Sequence, residues 1–350
     1  MPESKIKMLV LSLTGKCNFA CRYCYAADHD KQIMLAETAI KAVRLAAQSG
    51  ERFVIQFSGG EPLLNFDCLK TVVQYVVDNK LLADLQLQTN ASLFTDDIAV
   101  FLFKNKVAIG ISMDGKPAMN DKLRLTSHGD GASNAILHGL EILKRNNIAV
   151  GLTCVVTSEN VSRLPEVVDF SYYLGNIRKI GFDILRGQGR GTALQPPPAN
   201  ELHQVMQLVY ERAEQLAKLT GYRIIFAQKE RVDLLACHAA CEFGHCYAMN
   251  KQAAFVDSAG DIYACSSLVG NSEFYIGNVD DGIDKSLLNK TSIAIKDYML
   301  FCRSCKDFKL CGGGCFSRWY GTGDRGPHLS ECALKRASIA AAQSSNNNCH

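Results

Sequence analysis

The chain has 350 residues, 47% of them hydrophobic, with 38 basic and 35 acidic side chains and a net charge of +3. That length holds one large domain or two ordinary ones, with enough apolar residues for a sizeable core. The near-balance of charge gives no electrostatic argument for nucleic acid or a membrane surface, no apolar run reaches the length of a transmembrane helix, and the 8–13 run is too short for a secretory signal.

Strand and helix signals alternate from the start. Residues 7–13 read as an apolar strand ending at a cysteine-containing loop, and 35–48 as a helix. A second strand over 52–57 is broken by Ser58-Gly59-Gly60-Glu61-Pro62 and followed by a helix over 67–79. Strands at 85–89, 107–112, 149–156 and 179–185 are expected, with helices at 95–104, 132–146 and 164–174. In the 132–146 helix Ile136, Leu140 and Leu143 share one face. Six strands alternating with helices imply right-handed βαβ units and a parallel sheet, and six units suit a partial barrel open on one side. The fold class is therefore α/β, a partial (β/α)6 barrel over residues 1–200. Gln195-Pro196-Pro197-Pro198 makes a stiff break. A linking helical segment follows over 201–236, with an amphipathic helix at 201–220. A small cysteine-rich domain is placed at 237–340, and 341–350 is expected to be a disordered tail in which Cys349 and His350 are inert.

Fifteen cysteines without an export signal point to metal binding in a reducing, cytoplasmic setting rather than to disulfides. Cys68 and Cys154 lie on apolar faces and read as buried thiols. Cys17, Cys21 and Cys24 are spaced Cys-x3-Cys-x2-Cys. Three thiolates fall short of the four ligands of a structural zinc site. They suit three irons of a four-iron, four-sulfur cluster, leaving the fourth iron open.

This spacing, with Tyr23 just before the third cysteine, resembles the signature of the radical S-adenosylmethionine (SAM) superfamily. The resemblance implies that SAM chelates the open iron through its amino and carboxylate groups. One electron then gives a 5′-deoxyadenosyl radical, which takes hydrogen from substrate. Gly59, Gly60 and Glu61 resemble the family's motif for the SAM amino group. Absent side chains let carbonyls approach the ammonium, while Glu61 either accepts from it or ties down the loop. Ser112 resembles a SAM contact, Asp114 a brace for its loop, and Arg124 an arginine near the SAM carboxylate. The alternatives for these three are helix caps and surface ion pairs. Asn90 is a weaker candidate. Tyr23 is placed near the adenine, with a core aromatic as the alternative.

Cys302-x2-Cys305-x5-Cys311-x3-Cys315, Cys332, and Cys246 ahead of a Gly260-x4-Cys265 unit together resemble the SPASM domain of radical SAM peptide maturases. Two auxiliary four-iron clusters are what this implies, making three with the SAM cluster. By position Cys246, Cys265 and Cys315 hold the first, and Cys302, Cys305, Cys311 and Cys332 the second. Cys241 is the candidate fourth ligand of the first, with Cys237 or an open iron as alternatives. Gly312-Gly313-Gly314 would bring amides to the first cluster. The competing reading is a zinc site of Cys302, Cys305, Cys311 and Cys315. The sulfatase-maturing branch has an aspartate base after the Gly-x4-Cys cysteine, but here Ser266 and Ser267 follow Cys265. Asp257, Asp261, Glu273, His245 and Tyr263 are candidate substitutes, none of them selected.

The expected function is a radical SAM/SPASM maturase of a ribosomally made precursor peptide, leading to crosslinking, oxidation or residue excision. The first cysteine comes by residue 17, so a separate leader-recognition protein or direct peptide docking is expected, together with a reductant such as flavodoxin or ferredoxin. The alternatives are a sulfatase-type maturase, a small-molecule radical SAM dehydrogenase, and a non-catalytic iron–sulfur or zinc protein.

Overall fold

A computed structural model describes residues 5–237, 243–244, 246–322 and 328–346. The first half alternates as the sequence implies. Its elements are β1 (Met8–Ser12), α1 (Ala36–Ala47), β2 (Phe53–Ser58), α2 (Phe66–Asp78), β3 (Ala83–Thr89), α3 (Asp96–Lys104) and β4 (Ala108–Ser112). They continue as α4 (Pro117–Leu123), α5 (Ser133–Arg145), β5 (Val150–Val156), α6 (Leu164–Leu174) and β6 (Ile177–Ile184). Every neighbouring pair from β1 to β6 is parallel, in sequence order.

The two faces of this sheet differ. Leu9 and Leu11, Ile55 and Phe57, Leu85 and Leu87, Ile109 and Ile111, Leu152, and Ile180 and Phe182 are buried on one face. There they form one core with Ala42, Val43, Leu69, Val72, Leu102, Ile136, Leu140 and Val168 of the helices. The alternate positions Gln56, Ser58, Gln88, Ser112, Thr153 and Asp183 point the other way and line a cavity. A parallel sheet normally hides both faces under helices. Here one face hides under helices and the other curls around a lumen, as a partial barrel must. Loops confirm the curl, because Arg190, beyond β6, donates its amide to Cys24 O at 3.0 Å, beyond β1.

The remainder adds α7 (Ala199–Thr220), β7 (Ile225–Phe226), α8 (Ala227–Cys237), β8 (Ala253–Val256), β9 (Asp261–Tyr263), β10 (Tyr275–Asn278) and β11 (Gly282–Ile283). It closes with α9 (Lys285–Tyr298), α10 (Phe308–Cys311), α11 (Phe316–Thr322) and α12 (Leu329–Asn346). Two features differ from the sequence expectation. The 201–236 segment contains β7, which extends the sheet in parallel beside β6. The cysteine-rich stretch shares the barrel's sheet, because β8 runs parallel to β1 from Met8↔Ala253 to Leu11↔Val256 and β9, β10 and β11 follow antiparallel. Strands of two to four residues carry too few alternations to announce themselves. Part of the expected tail, up to Asn346, continues α12, while Cys349 and His350 lie outside the described residues.

Candidate active site

The cysteine loop leaves β1 and is clamped on three sides. From the β2 side, Gly60 donates its amide to Thr14 O at 2.7 Å and Glu61 to Lys16 O at 2.9 Å. From beyond α4, Ala20 and Arg22 donate their amides to Leu125 O and Leu123 O. From beyond β6, Arg190 Nε reaches Cys21 O at 2.8 Å. The glycines allow the first clamp. Gly59 has φ +140°, and a Cβ there would lie 2.3 Å from Thr14 O, while one on Gly60 would lie 2.2 Å from Lys16 O. The close approach that these glycines visibly serve is to the cysteine loop itself.

Cys17, Cys21 and Cys24 open onto a cavity of about 380 Å³, with Tyr23, Tyr25, Gly59, Gly60, Asn90, Ser112, Arg124, Arg186 and Ser266 among its walls. Cys17 is exposed at the cavity, and partial desolvation by the surrounding loop pushes its thiol up, against the opposing Phe19 amide. Burial likewise pushes Cys21 up to about 11, against the Arg124 charge. Such thiols give up their protons to a metal rather than to solvent. Donors already surround them. The Phe19 amide lies 3.4 Å from Cys17 Sγ, with Asn90 Nδ2 at 3.8 Å, and Arg124 Nη1 lies 4.0 Å from Cys21 Sγ. Hydrogen bonds to sulfur are what a cluster-bound thiolate requires around it, so the three cysteines fit an iron–sulfur group.

The other candidates divide by what holds them. Glu61 is fully buried and absent from the cavity wall, its carboxylate spent on Thr89 Oγ1 at 2.6 Å, Asn90 N at 2.8 Å and Leu63 N at 3.1 Å. Of its two expected roles it performs the tie. Burial pushes its pKa up to about 7, against those hydrogen bonds. Arg124 forks onto Asp114, Nε to Oδ2 at 2.9 Å and Nη2 to Oδ1 at 3.2 Å. Asp114 also accepts from the Tyr23 hydroxyl and the Val155 amide, so it braces its loop as expected. Tyr23 lies under the Arg124 guanidinium at 5.2 Å and packs on Leu123, Leu185 and Leu194, a core aromatic that also lines the cavity. Ser112 accepts from Gln88 Nε2 at 2.9 Å.

Sequence reasoning missed Gln56, Gln88, Thr153 and Asp183. Their signal is a polar residue at every second position of otherwise apolar strands, and it becomes meaningful only once that face is known to enclose a lumen. Of the candidate bases, Asp257, Asp261, Tyr263 and Glu273 do not line the cavity, and His245 lies outside the described residues. Asp257 is taken up by the amides of Ala259 and Asp261 in the turn after β8.

The C-terminal cysteines fall into two groups. The Cys246 thiol feels the charges of Cys265 and Cys315, whereas Cys302 feels those of Cys311, Cys332 and Cys305. Cys315 thus groups away from Cys311, four residues before it. The Cys311 thiol donates to Gly313 O at 3.6 Å, so this glycine run meets the second group. A Cβ on Gly314 would lie 2.0 Å from the Trp319 ring. Among the described residues no three Cys, His, Asp or Glu side chains converge closely enough for a single metal ion. Cys241 and the Cys237 side chain lie outside the described residues. Cys68 and Cys154 are buried as expected.

A partial barrel with three cysteines at the carboxyl end of its first strand defines a radical enzyme's architecture, and comparison with known proteins agrees. Residues 11–171 match the family model of the radical SAM superfamily. An uncharacterised protein of Methanocaldococcus jannaschii is 34% identical over 79% of this chain and 90% of its own length. The chain belongs to the radical SAM superfamily. It is also similar, at 23% identity over 89% of this chain and 87% of the relative, to a cysteine-type anaerobic sulfatase-maturating enzyme of Clostridium novyi. In fold it matches native anSMEcpe with bound AdoMet and Cp18Cys peptide, at a TM-score of 0.80 and 20% identity, covering 99% of both chains. Streptococcus suis SuiB bound to precursor peptide SuiA gives 0.68 at 18% identity, over 91% of this chain and 73% of SuiB. The fold is thus a radical SAM partial barrel followed by a SPASM-type cysteine-rich region. Membership brings a four-iron, four-sulfur cluster and SAM as cofactors.

Proposed function

We propose that the chain is a radical SAM/SPASM maturase of a ribosomally made precursor peptide, with crosslinking, oxidation or residue excision as the outcome. The observation that carries this is the shared chamber, because the wall that holds Cys17, Cys21, Cys24, Gly59 and Gly60 also includes Ser266, next to Cys265. A substrate seated there would touch the SAM side together with Ser266, the residue after Cys265. With SAM and its cluster bound, the chemistry supplied is reductive cleavage to a carbon radical that abstracts hydrogen.

The chain's own residues hold and orient. Gly59, Gly60 and Ser112 present backbone and hydroxyl groups for the SAM amino acid moiety. Arg124 offers its charge beside Cys21 for the carboxylate, and Tyr23 gives an aromatic wall. Cys246, Cys265 and Cys315 would hold one auxiliary cluster, and Cys302, Cys305, Cys311 and Cys332 the other. That brings the total to three four-iron, four-sulfur clusters. A flavodoxin or ferredoxin would supply electrons in a reducing cytosol, and the leader would be recognised by a separate protein or dock directly. The bound peptides of anSMEcpe and SuiB support a peptide as substrate.

A sulfatase-type maturase is the second reading, favoured by the Clostridium novyi relative. Ser266 in place of an aspartate counts against it. The test is anaerobic reconstitution with an iron count and a SAM-cleavage assay. About twelve irons per chain with 5′-deoxyadenosine formed is the expected result, and Cys17→Ala, Cys21→Ala and Cys24→Ala each abolish cleavage. Mass spectrometry with a neighbouring-gene precursor peptide against a sulfatase-derived peptide then separates the two readings. Zinc without deoxyadenosine would overturn both.

A further inference from the structure

The cavity wall at β6 carries a chain of charges, half-buried at Asp183 and Arg186 and buried at Arg318 and Glu331, that neither SAM contact nor thiol ligation uses. Asp183 lines the cavity from β6. Its carboxylate takes Arg186 Nη2 at 3.0 Å on one side and the Arg318 guanidinium of α11 on the other. Arg318 also pairs with Glu331 of α12 and donates Nε to Ile184 O at 3.1 Å. Only 6% of the Arg318 side chain and 2% of the Glu331 side chain are exposed. Lys335 also approaches Glu331, at 4.0 Å with its side chain 8% exposed, so three cations meet two carboxylates. Apolar residues of similar volume often stabilise a core as well as a buried ion network does, so stability alone does not account for this one.

Its position does. Arg318 follows Cys315 by three residues and donates its amide to Cys315 O at 3.1 Å. Arg186 enters the cavity beside Ser266, the neighbour of Cys265, with its guanidinium 4.8 Å over the Tyr25 ring. The thiol charges of Cys315 and Cys265 act on Arg186, and that of Cys315 on Arg318. Glu331 adjoins Cys332 and acts on the second group. Arg186 and Arg318 therefore face the first cysteine group.

We propose that Asp183, Arg186, Arg318 and Glu331 form a charge-setting network that seats the first auxiliary group at the cavity wall and raises the potential of the cluster bound there. Arg186 and Arg318 are positioning residues in this scheme. It rests on the maturase reading. A cation beside a cluster favours the more negative, reduced form, so removing one lowers the potential, and removing the carboxylate that screens Arg318 raises it.

The test is an EPR-monitored redox titration of the reconstituted full chain, with the first auxiliary signal identified by its loss in Cys265→Ala. Arg318→Gln and Arg186→Gln are expected to shift that potential downward, Glu331→Gln upward, and Arg318→Lys to stay near the parent value. Opposite signs separate a charge effect from a loosened fold. Unmoved potentials, or shifts of one sign in all variants, overturn the network. Should Arg318→Gln fail to take up iron, Arg186→Gln, on a partly exposed loop, and Glu331→Gln decide the matter by the signs of their shifts. About twelve irons with unmoved potentials refute only the network, whereas about four irons in the parent chain refute the maturase reading beneath it.

Discussion

Glu61 shows how a motif residue serves a site it never enters. Three donors converge on its carboxylate, yet burial leaves its pKa raised to about 7. A carboxyl whose folded value lies above its unfolded value binds its proton more tightly when folded. Its stabilising contribution is full below about pH 4.5 and is lost progressively as pH rises through about 7. The difference amounts to about 3 kcal/mol at most. Denaturant unfolding of the apoprotein from pH 4.5 to 8 is expected to show this decline, and Glu61→Gln to flatten it. An equally steep profile in the variant would assign the pH dependence elsewhere. Legibility at this scale was uneven. Cys17, Cys21 and Cys24 announced themselves by spacing, because thiol ligands have little other reason to recur so closely. Gln88 and Asp183 did not, because an isolated polar residue in a strand is ordinary until the curvature of the sheet gives its face a purpose.

The six βα units were legible as elements because each strand is long enough to alternate and each helix long enough to show a face. The seven-residue α4 escaped notice, and so did β7 to β11, which are two to four residues long, with the partners of β7 and β8 also far away in sequence. The turn after β2 was legible as a motif, yet its physical role came only with the loop packed on it. Gly60→Ala would push a Cβ against Lys16 O. Overpacking there costs roughly 1–3 kcal/mol, and displacing the cysteine loop by about 1 Å lowers SAM cleavage on the order of a hundredfold. Gly181→Ala, whose nearest neighbour would be Ala227 Cβ at 3.6 Å, is the matched control on β6 and is expected to leave stability and cleavage near the parent values. Thermal melts and deoxyadenosine formation measure both.

At the scale of the whole molecule, one sheet of eleven strands among the described residues joins barrel and cysteine-rich region. A chain truncated after residue 236 loses β8 and leaves β1 with an unpaired edge, which invites edge-to-edge association. Size-exclusion chromatography is expected to show aggregates rather than a stable monomer, and a well-behaved monomer would make the two regions independent. The same pairing has a temporal side. Strand β1 is made first, and β8, its outer neighbour, follows 241 residues after Ser12, the difference between positions 253 and 12. At translation rates of roughly 5–20 residues per second, that interval is about ten to fifty seconds. Phe255 of β8 also packs against His29 of the cysteine loop, with ring centroids 6.1 Å apart. The nascent chain thus leaves His29, and the loop that carries the first three thiols, without this contact until the ribosome has passed the barrel.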